Sequence, residues 1–93
     1  MLLNVKQALL DGKGSLRCAE VCALLQQLGF EVRDGRRGGH KVYVHNSIPE
    51  FRSGSLNCGH GRNPEIKAAY ITQIVRIIDT HEAALKKHLR EEK

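Results

Sequence analysis

The spacing of apolar residues predicts two amphipathic helices. Four of them recur at intervals of three and four and form one stripe on a helix over about residues 18–28: Val21, Leu24, Leu25 and Leu28. Gly29 follows directly, and glycine commonly ends a helix. A second stripe predicts a long final helix that extends to about residue 90: Ile71, Ile74, Val75, Ile78, Leu85 and Leu89. This helix begins either at Asn63-Pro64, as cap and first turn, or nearer Ala68 after a turn.

Three short segments between these helices have the character of strands. Residues 30–33 alternate apolar and polar side chains, residues 40–45 form a second strand after the turn that begins at Asp34-Gly35, and residues 55–58 form a third candidate after a loop that contains Pro49. The predicted order is α-β-β-β-α, an α+β domain with a three-stranded antiparallel sheet and both helices on one face. Residues 1–10 form either a helical turn or a loose arm, and Asp11-Gly12-Lys13-Gly14 ends that segment.

Length and composition limit the domain organisation. A chain of 93 residues is long enough for one small domain, with a core over about residues 17–79 and an N-terminal arm over 1–14. No apolar run is long enough for a membrane span, so no membrane partner is expected. The three cysteines are odd in number and widely spread, which does not suggest a disulfide framework. These features favour a cytoplasmic protein.

The positive charge of the chain is concentrated in its middle. The net charge is +5, and residues 33–67 hold seven basic side chains against three acidic ones, five of the seven being arginine. A guanidinium fork suits phosphate, and a localised basic surface favours a polyanion, so nucleic acid is the expected partner. Two phenylalanines, two tyrosines and no tryptophan are too few for a base-stacking platform. Recognition through phosphate, ribose and shape is therefore expected.

The turn between the first two strands carries the candidate chemistry. Its sequence, GRRGGHK over residues 35–41, places His40 among arginines and a lysine on a glycine-rich backbone. An imidazole can titrate near neutral pH, and fixed positive charges hold phosphate. This combination is typical of RNA cleavage or RNA capture. The strand alternation places His45 on the face opposite His40, so in a regular strand the two cannot act as a pair.

The order of motifs resembles one known family. The first helix, LGFEV, GGHKVYVH and then CGHGRNPEIKAAYITQIVRII are similar to the HicA family of bacterial toxins over about residues 17–79. The most specific match is Gly38-Gly39-His40, where the family has Gly-Ser/Thr-His at the start of its second strand. His60-Gly61-Arg62 resembles the family's ending of the third strand. Two departures are Gly39, which lacks the family's hydroxyl, and Lys67-Ala68-Ala69, which replaces a Pro-Gly before the last helix.

The resemblance implies a function and a set of site residues. HicA proteins are ribonucleases of type II toxin–antitoxin systems with a fold like the double-stranded-RNA-binding domain; they cleave mRNA and arrest translation, and no metal or cofactor is expected. The resemblance implies that His40 is the catalytic residue and acts as either the general base or the general acid. The implied partners are mRNA and a HicB-like antitoxin, and the free toxin is expected to be a monomer. The expected RNA-binding residues are Arg36, Arg37, Gly38, Gly39, Lys41, His60, Arg62 and Lys67.

Two other functions stay open at this stage. One is an RNA-binding module of the same fold without catalytic activity, since a lone strand histidine often only satisfies local hydrogen bonds. The other is a zinc-stabilised interaction domain with Cys18, Cys22, Cys58 and His60 as ligands. Structural zinc usually draws on tight CxxC knuckles, so a Cys-x₃-Cys pair on a helix is more often a pair of buried thiols.

Overall fold

The computed structural model describes residues 1–36, 38–59 and 61–91. Within these ranges the chain forms four helices and three strands, and the strands make one antiparallel sheet in the order β1-β2-β3. None of the helices in this described part combines the length and the apolar character that a membrane span requires. The elements are α1 (Leu2–Asp11), α2 (Cys18–Gln27), β1 (Glu31–Asp34), β2 (His40–Val44), β3 (Gly54–Asn57), α3 (Ala68–Thr80) and α4 (Glu82–Leu89).

The sheet has one covered face and one open face, and the alternating residues of its central strand, β2, identify them. Tyr43 is fully buried and belongs to the same hydrophobic cluster as Leu56 of β3 and the helices. Val42 and Val44, on the alternate positions, are only partly buried and lie outside that cluster. Because side chains alternate along a strand, His40 belongs to the open face with these two valines. The predicted three-stranded antiparallel sheet is confirmed.

The core is built from the two stripes that the sequence predicts. Leu25 is 1% exposed and belongs to the hydrophobic cluster that also contains residues of α3 and of the covered face of the sheet. Val75, at the margin of the second stripe, is only partly buried. The buried residues from these helices and the residue after α2 are Val21, Leu25, Leu28, Ile71, Ile74 and Ile78.

The N-terminal segment is a helix of the core, so its description as an arm is wrong. In α1 three residues at helical spacing are buried, namely Leu2, Val5 and Leu9. They join the same cluster as α2 and α3. The stripe has only three members and follows no capping signal, which is why the sequence left a helical turn and a loose arm as alternatives.

The C-terminal helix is interrupted, which the sequence did not predict. His81 has φ −109° and ψ 25°, far from the helical ψ of about −42°, and it separates α3 from α4. After this break α4 places Leu85 in the core. The ring of His81 packs on Phe51, with 5.6 Å between the ring centroids. A tertiary contact therefore accompanies this break in the helix, which the apolar stripe does not predict.

The segment before α3 is an irregular loop that caps α2 and forms an isolated bridge between Glu65 and Arg17. Of the two predicted starts for α3, the structure adopts Ala68, with Lys67 as N-cap. Asn63 instead accepts a hydrogen bond from the Ala19 backbone N–H through its side-chain oxygen, at 3.0 Å. The Cys18 N–H donates to the carbonyl of Pro64 at 2.9 Å. Two of the first free N–H groups of α2 are thus satisfied by a segment more than forty residues away.

The cysteines form a disulfide, which the sequence-based expectation did not include. Cys18 at the start of α2 and Cys58 directly after β3 are bonded, with their Cα atoms 5.4 Å apart and a sequence separation of 40. Cys22 is a free, half-buried thiol. The expectation is therefore wrong for Cys18 and Cys58. Its failure has a physical reason, since sequence spacing does not determine which chain segments the fold brings within bonding distance.

His45 lies on the covered face and is held by two backbone groups. Only 4% of it is exposed. The Ser47 N–H donates to its Nδ1 at 3.2 Å, so Nε2 carries the proton and donates to the carbonyl of Leu28 at 2.9 Å. Burial lowers the pKa of His45, and the neighbouring His88 ring, 4.7 Å away between centroids, lowers it further, while the bond to Leu28 opposes the change.

This histidine should make folding stability fall in mild acid. The unfolded chain takes up a proton near the ordinary pKa of 6.5, whereas folded His45 does so only at lower pH. The unfolded state therefore binds more protons as the pH falls below about 7, and the free energy of unfolding decreases. We expect urea denaturation between about pH 7.5 and pH 5.5 to show this loss. His45→Gln should be less stable at the higher pH but show a flatter pH dependence; an unchanged slope would contradict this assignment.

Candidate nucleic-acid interface

His40 is the first residue of β2 and lies on the open face of the sheet. Its register partner on β3 is Asn57, and its carbonyl accepts a hydrogen bond from the Gly35 N–H at 2.8 Å. A Cβ atom on Gly35 would overlap the imidazole ring, so the ring lies directly against that glycine. His40 is partly buried. The turn thus fixes one side of the ring and leaves it at the edge of an uncovered surface.

Glycines let two loops meet beside His40. Gly39 has φ +81°, and its carbonyl accepts a hydrogen bond from the Cys58 N–H at 2.6 Å. A Cβ atom at position 39 would clash with the carbonyl oxygen of Gly59. This close backbone contact and the positive φ are the physical reasons why glycine occupies this position. By contrast, a Cβ atom on Gly38 or Gly59 would meet open space, so a ligand can approach the backbone there.

Unpaired positive charge lies near this junction. Arg36 is three residues from Gly39, and Arg62 is three residues from Gly59, so each Cα lies within about 11 Å of the respective glycine. Both arginines are exposed. Among the residues that the structure describes, ion pairs include neither of them, nor the exposed Arg52 and Lys67. Within that part of the chain the guanidinium groups of Arg36 and Arg62 have no carboxylate partner and can bind an anion.

Lys41 does not join His40, although the sequence places them side by side. It alternates with His40 along β2 and pairs with Leu56 of the covered face. Its ammonium forms an ion pair with Asp34, which raises the pKa of Lys41. The strand alternation therefore separates this lysine from the imidazole, and its charge is already neutralised by a carboxylate.

The remaining predicted residues are less closely tied to this surface. Lys67 is exposed at the start of α3, and no contact in the described structure connects it with His40. Arg37 and His60 lie outside the described residues. The structure brings together Gly38, Gly39 and His40, and chain length keeps Arg36 and Arg62 close to them.

The sequence did not single out Asn57, which the sheet places opposite His40. Its side-chain oxygen accepts a hydrogen bond from the Gly59 N–H at 2.8 Å. This bond shapes the loop after β3, and the loop in turn contacts Gly39. The register between β2 and β3 is the signal that identifies Asn57, and the register is a tertiary property.

No protein-family model, curated protein or solved structure matches this chain. The chemistry of the interface is therefore argued from its own residues. The imidazole of His40 is a candidate general acid or base. Guanidinium groups and an open glycine backbone beside it can hold a phosphate group. Together these groups suit a phosphodiester substrate.

Proposed function

We propose that this protein is a HicA-like toxin of a bacterial type II toxin–antitoxin system. In this proposal it is a metal-independent endoribonuclease that cleaves mRNA, with a fold of the double-stranded-RNA-binding-domain kind and His40 as general acid or base. A HicB-like antitoxin would silence it by covering His40 and the turn over residues 35–39. The free toxin is proposed to be a monomer.

The proposal rests on the position of His40. His40 opens β2 on the face of the sheet that the helices leave uncovered, between a turn that bears Arg36 and the loop that leads to Arg62. An RNA strand lying across this junction could place a phosphate between the two arginines while its ribose approaches the imidazole. The open space over Gly38 and Gly59 permits a close backbone approach.

The reaction needs groups of these kinds. Cleavage without a metal begins when a base takes the proton of the ribose 2′-hydroxyl, whose oxygen then attacks the adjacent phosphorus. The bond to the 5′-oxygen breaks, and that oxygen takes up a proton. His40 supplies one of these two proton transfers, and Arg36 and Arg62 stabilise the charge that develops on the phosphate.

A second candidate is an RNA-binding module that does not cleave. It is favoured by the position of His45, which lies on the covered face with both ring nitrogens bonded and so cannot supply the second proton transfer. The same arginines and glycines would then capture RNA, and His40 would act as a contact.

A cleavage assay separates the two candidates. Purified protein in its disulfide form is mixed with a single-stranded RNA in excess chelator, and the products are resolved on a gel. We expect defined fragments with 2′,3′-cyclic phosphate ends if the ribonuclease proposal is correct. Binding of the RNA without any cleavage, across several RNA sequences, would support the binding module and contradict catalysis.

Arg36 gives a separate test of the binding surface. Replacing Arg36 by alanine removes one phosphate contact, so RNA affinity should fall for all sequences. The slope of log affinity against log salt concentration should decrease by about 0.7 for a single strand. Fluorescence anisotropy at several salt concentrations measures both quantities.

Arg76→Ala is the matched control. It removes the same charge from an exposed position on α3, away from the open face of the sheet. The control should leave the salt slope unchanged. If Arg36→Ala and Arg76→Ala have equal effects, the RNA surface lies elsewhere.

A further inference from the structure

We propose that, after reduction, Cys18, Cys22 and Cys58 together bind one thiophilic d¹⁰ cation, for which Zn²⁺ is the probe. This site lies at the junction between α2 and the end of β3. It is separate from the proposed proton-transfer chemistry of His40 and does not depend on the proposed function.

The three sulfur atoms lie close together, and two of them are bonded in the disulfide. The Sγ atoms of all three residues lie within 4.8 Å of one another. Zinc–sulfur bonds of about 2.3 Å in a tetrahedron place sulfur atoms about 3.8 Å apart. Cys18 and Cys58 have Cα atoms 5.4 Å apart, so their sulfurs can move to that separation by side-chain rotation after the disulfide is reduced. Only small shifts are needed to surround one ion.

Two chain segments hold the cluster together independently of the disulfide. The Cys18 N–H donates to the carbonyl of Pro64, and the Cys58 N–H donates to that of Gly39. Cys22 lies one helical turn beyond Cys18, on the same face of α2. Backbone hydrogen bonds therefore keep these positions in place when the sulfur–sulfur bond is broken, and the ligands are preorganised.

The surroundings enclose the three sulfur atoms. Cys22 and Cys18 are half-buried and Cys58 is buried, which shields a bound ion from water. Burial raises the pKa of the Cys22 thiol, and Asp34 adds to this effect while Lys41 opposes it, so a bound cation has to displace the thiol proton. Soft thiolate ligands select Zn²⁺ or Cu⁺ over Mg²⁺ and Ca²⁺.

The disulfide and the metal-bound form exclude each other. A dithiol reductant gives two electrons and two protons to the Cys18–Cys58 bond and is itself oxidised to a cyclic disulfide, which leaves three thiols in this protein. Binding of Zn²⁺ then releases the three thiol protons to solvent. Since the disulfide withdraws two of the three ligands, oxidised protein lacks the site.

Metal titration of the full chain tests the proposal. Protein reduced with a phosphine, which leaves no competing thiol, is titrated with Co²⁺ and then with Zn²⁺ against a chromophoric chelator. We expect one ion per chain, with a thiolate-to-cobalt charge-transfer band that Zn²⁺ abolishes. The oxidised protein should show no such band. Absence of the band in the reduced protein, or equal binding by the oxidised protein, would overturn the proposal.

Cys22→Ser is the matched variant, because it keeps both cysteines of the disulfide. Loss of an outer-shell partner alone costs about 10–100-fold in metal affinity, so loss of this ligand should weaken binding at least about tenfold. Circular dichroism of the oxidised variant checks that its fold is intact. A reduced variant that binds as tightly as the unaltered protein would show that Cys22 is not a ligand and would contradict the three-sulfur site.

Discussion

Replacing His40 by alanine should lower the rate of RNA cleavage by about 10²–10⁴-fold, the usual contribution of a positioned acid or base. In the proposed reaction the imidazole provides one of the two proton transfers, and no described residue on the open face offers another imidazole. RNA affinity should change little, because Arg36 and the glycine backbone remain. Single-turnover cleavage at saturating RNA measures the loss.

The fold should survive this substitution. His40 is only partly buried and its ring rests on Gly35 rather than in the hydrophobic cluster. His81→Ala is the matched control, since His81 packs on Phe51 in the connection between β2 and β3, at the other end of β2. Its cleavage rate should stay within about twofold of the unaltered protein, a change below about 0.5 kcal/mol in activation free energy. If His40→Ala cleaves RNA as fast as that control, His40 is not the catalytic residue.

Replacing Leu25 by alanine should lower the free energy of unfolding by about 2–5 kcal/mol. Leu25 is 1% exposed and lies in the hydrophobic cluster that joins α2, α3 and the sheet. The truncation removes buried methyl groups and leaves a cavity between helices and strands, which the surrounding side chains fill only in part. Urea denaturation of the oxidised protein measures the change.

Leu3 provides the control for the chemical change itself. It is 73% exposed on α1, so Leu3→Ala makes the same truncation without opening a cavity. Its effect should stay within about 0.5 kcal/mol. Equal losses for the two variants would contradict the described core.

The sequence by itself determined the elements that depend on local periodicity. The stripe of α2 repeats at the helical period and residues 30–33 alternate at the strand period, so neighbouring residues suffice to predict these elements. The alternation of side chains along any strand already separated His40 from His45, and the structure places His45 on the covered face. The candidate catalytic residue lies in the turn and strand where the sequence placed it, and its catalytic role stays a prediction.

Only the tertiary structure decided which distant segments meet. By its sequence Asn63 is a possible cap of the final helix, yet it caps α2, because the fold brings residues 63–66 beside the start of that helix. The Cys18–Cys58 bond and the register between His40 and Asn57 depend on the same assembly. Side-chain periodicity reports which face of an element is apolar, but it carries no information about partners forty residues away. The packing of the chain determines those partners. It therefore also determines which residues surround His40, and it places the sulfur of Cys22 beside the disulfide.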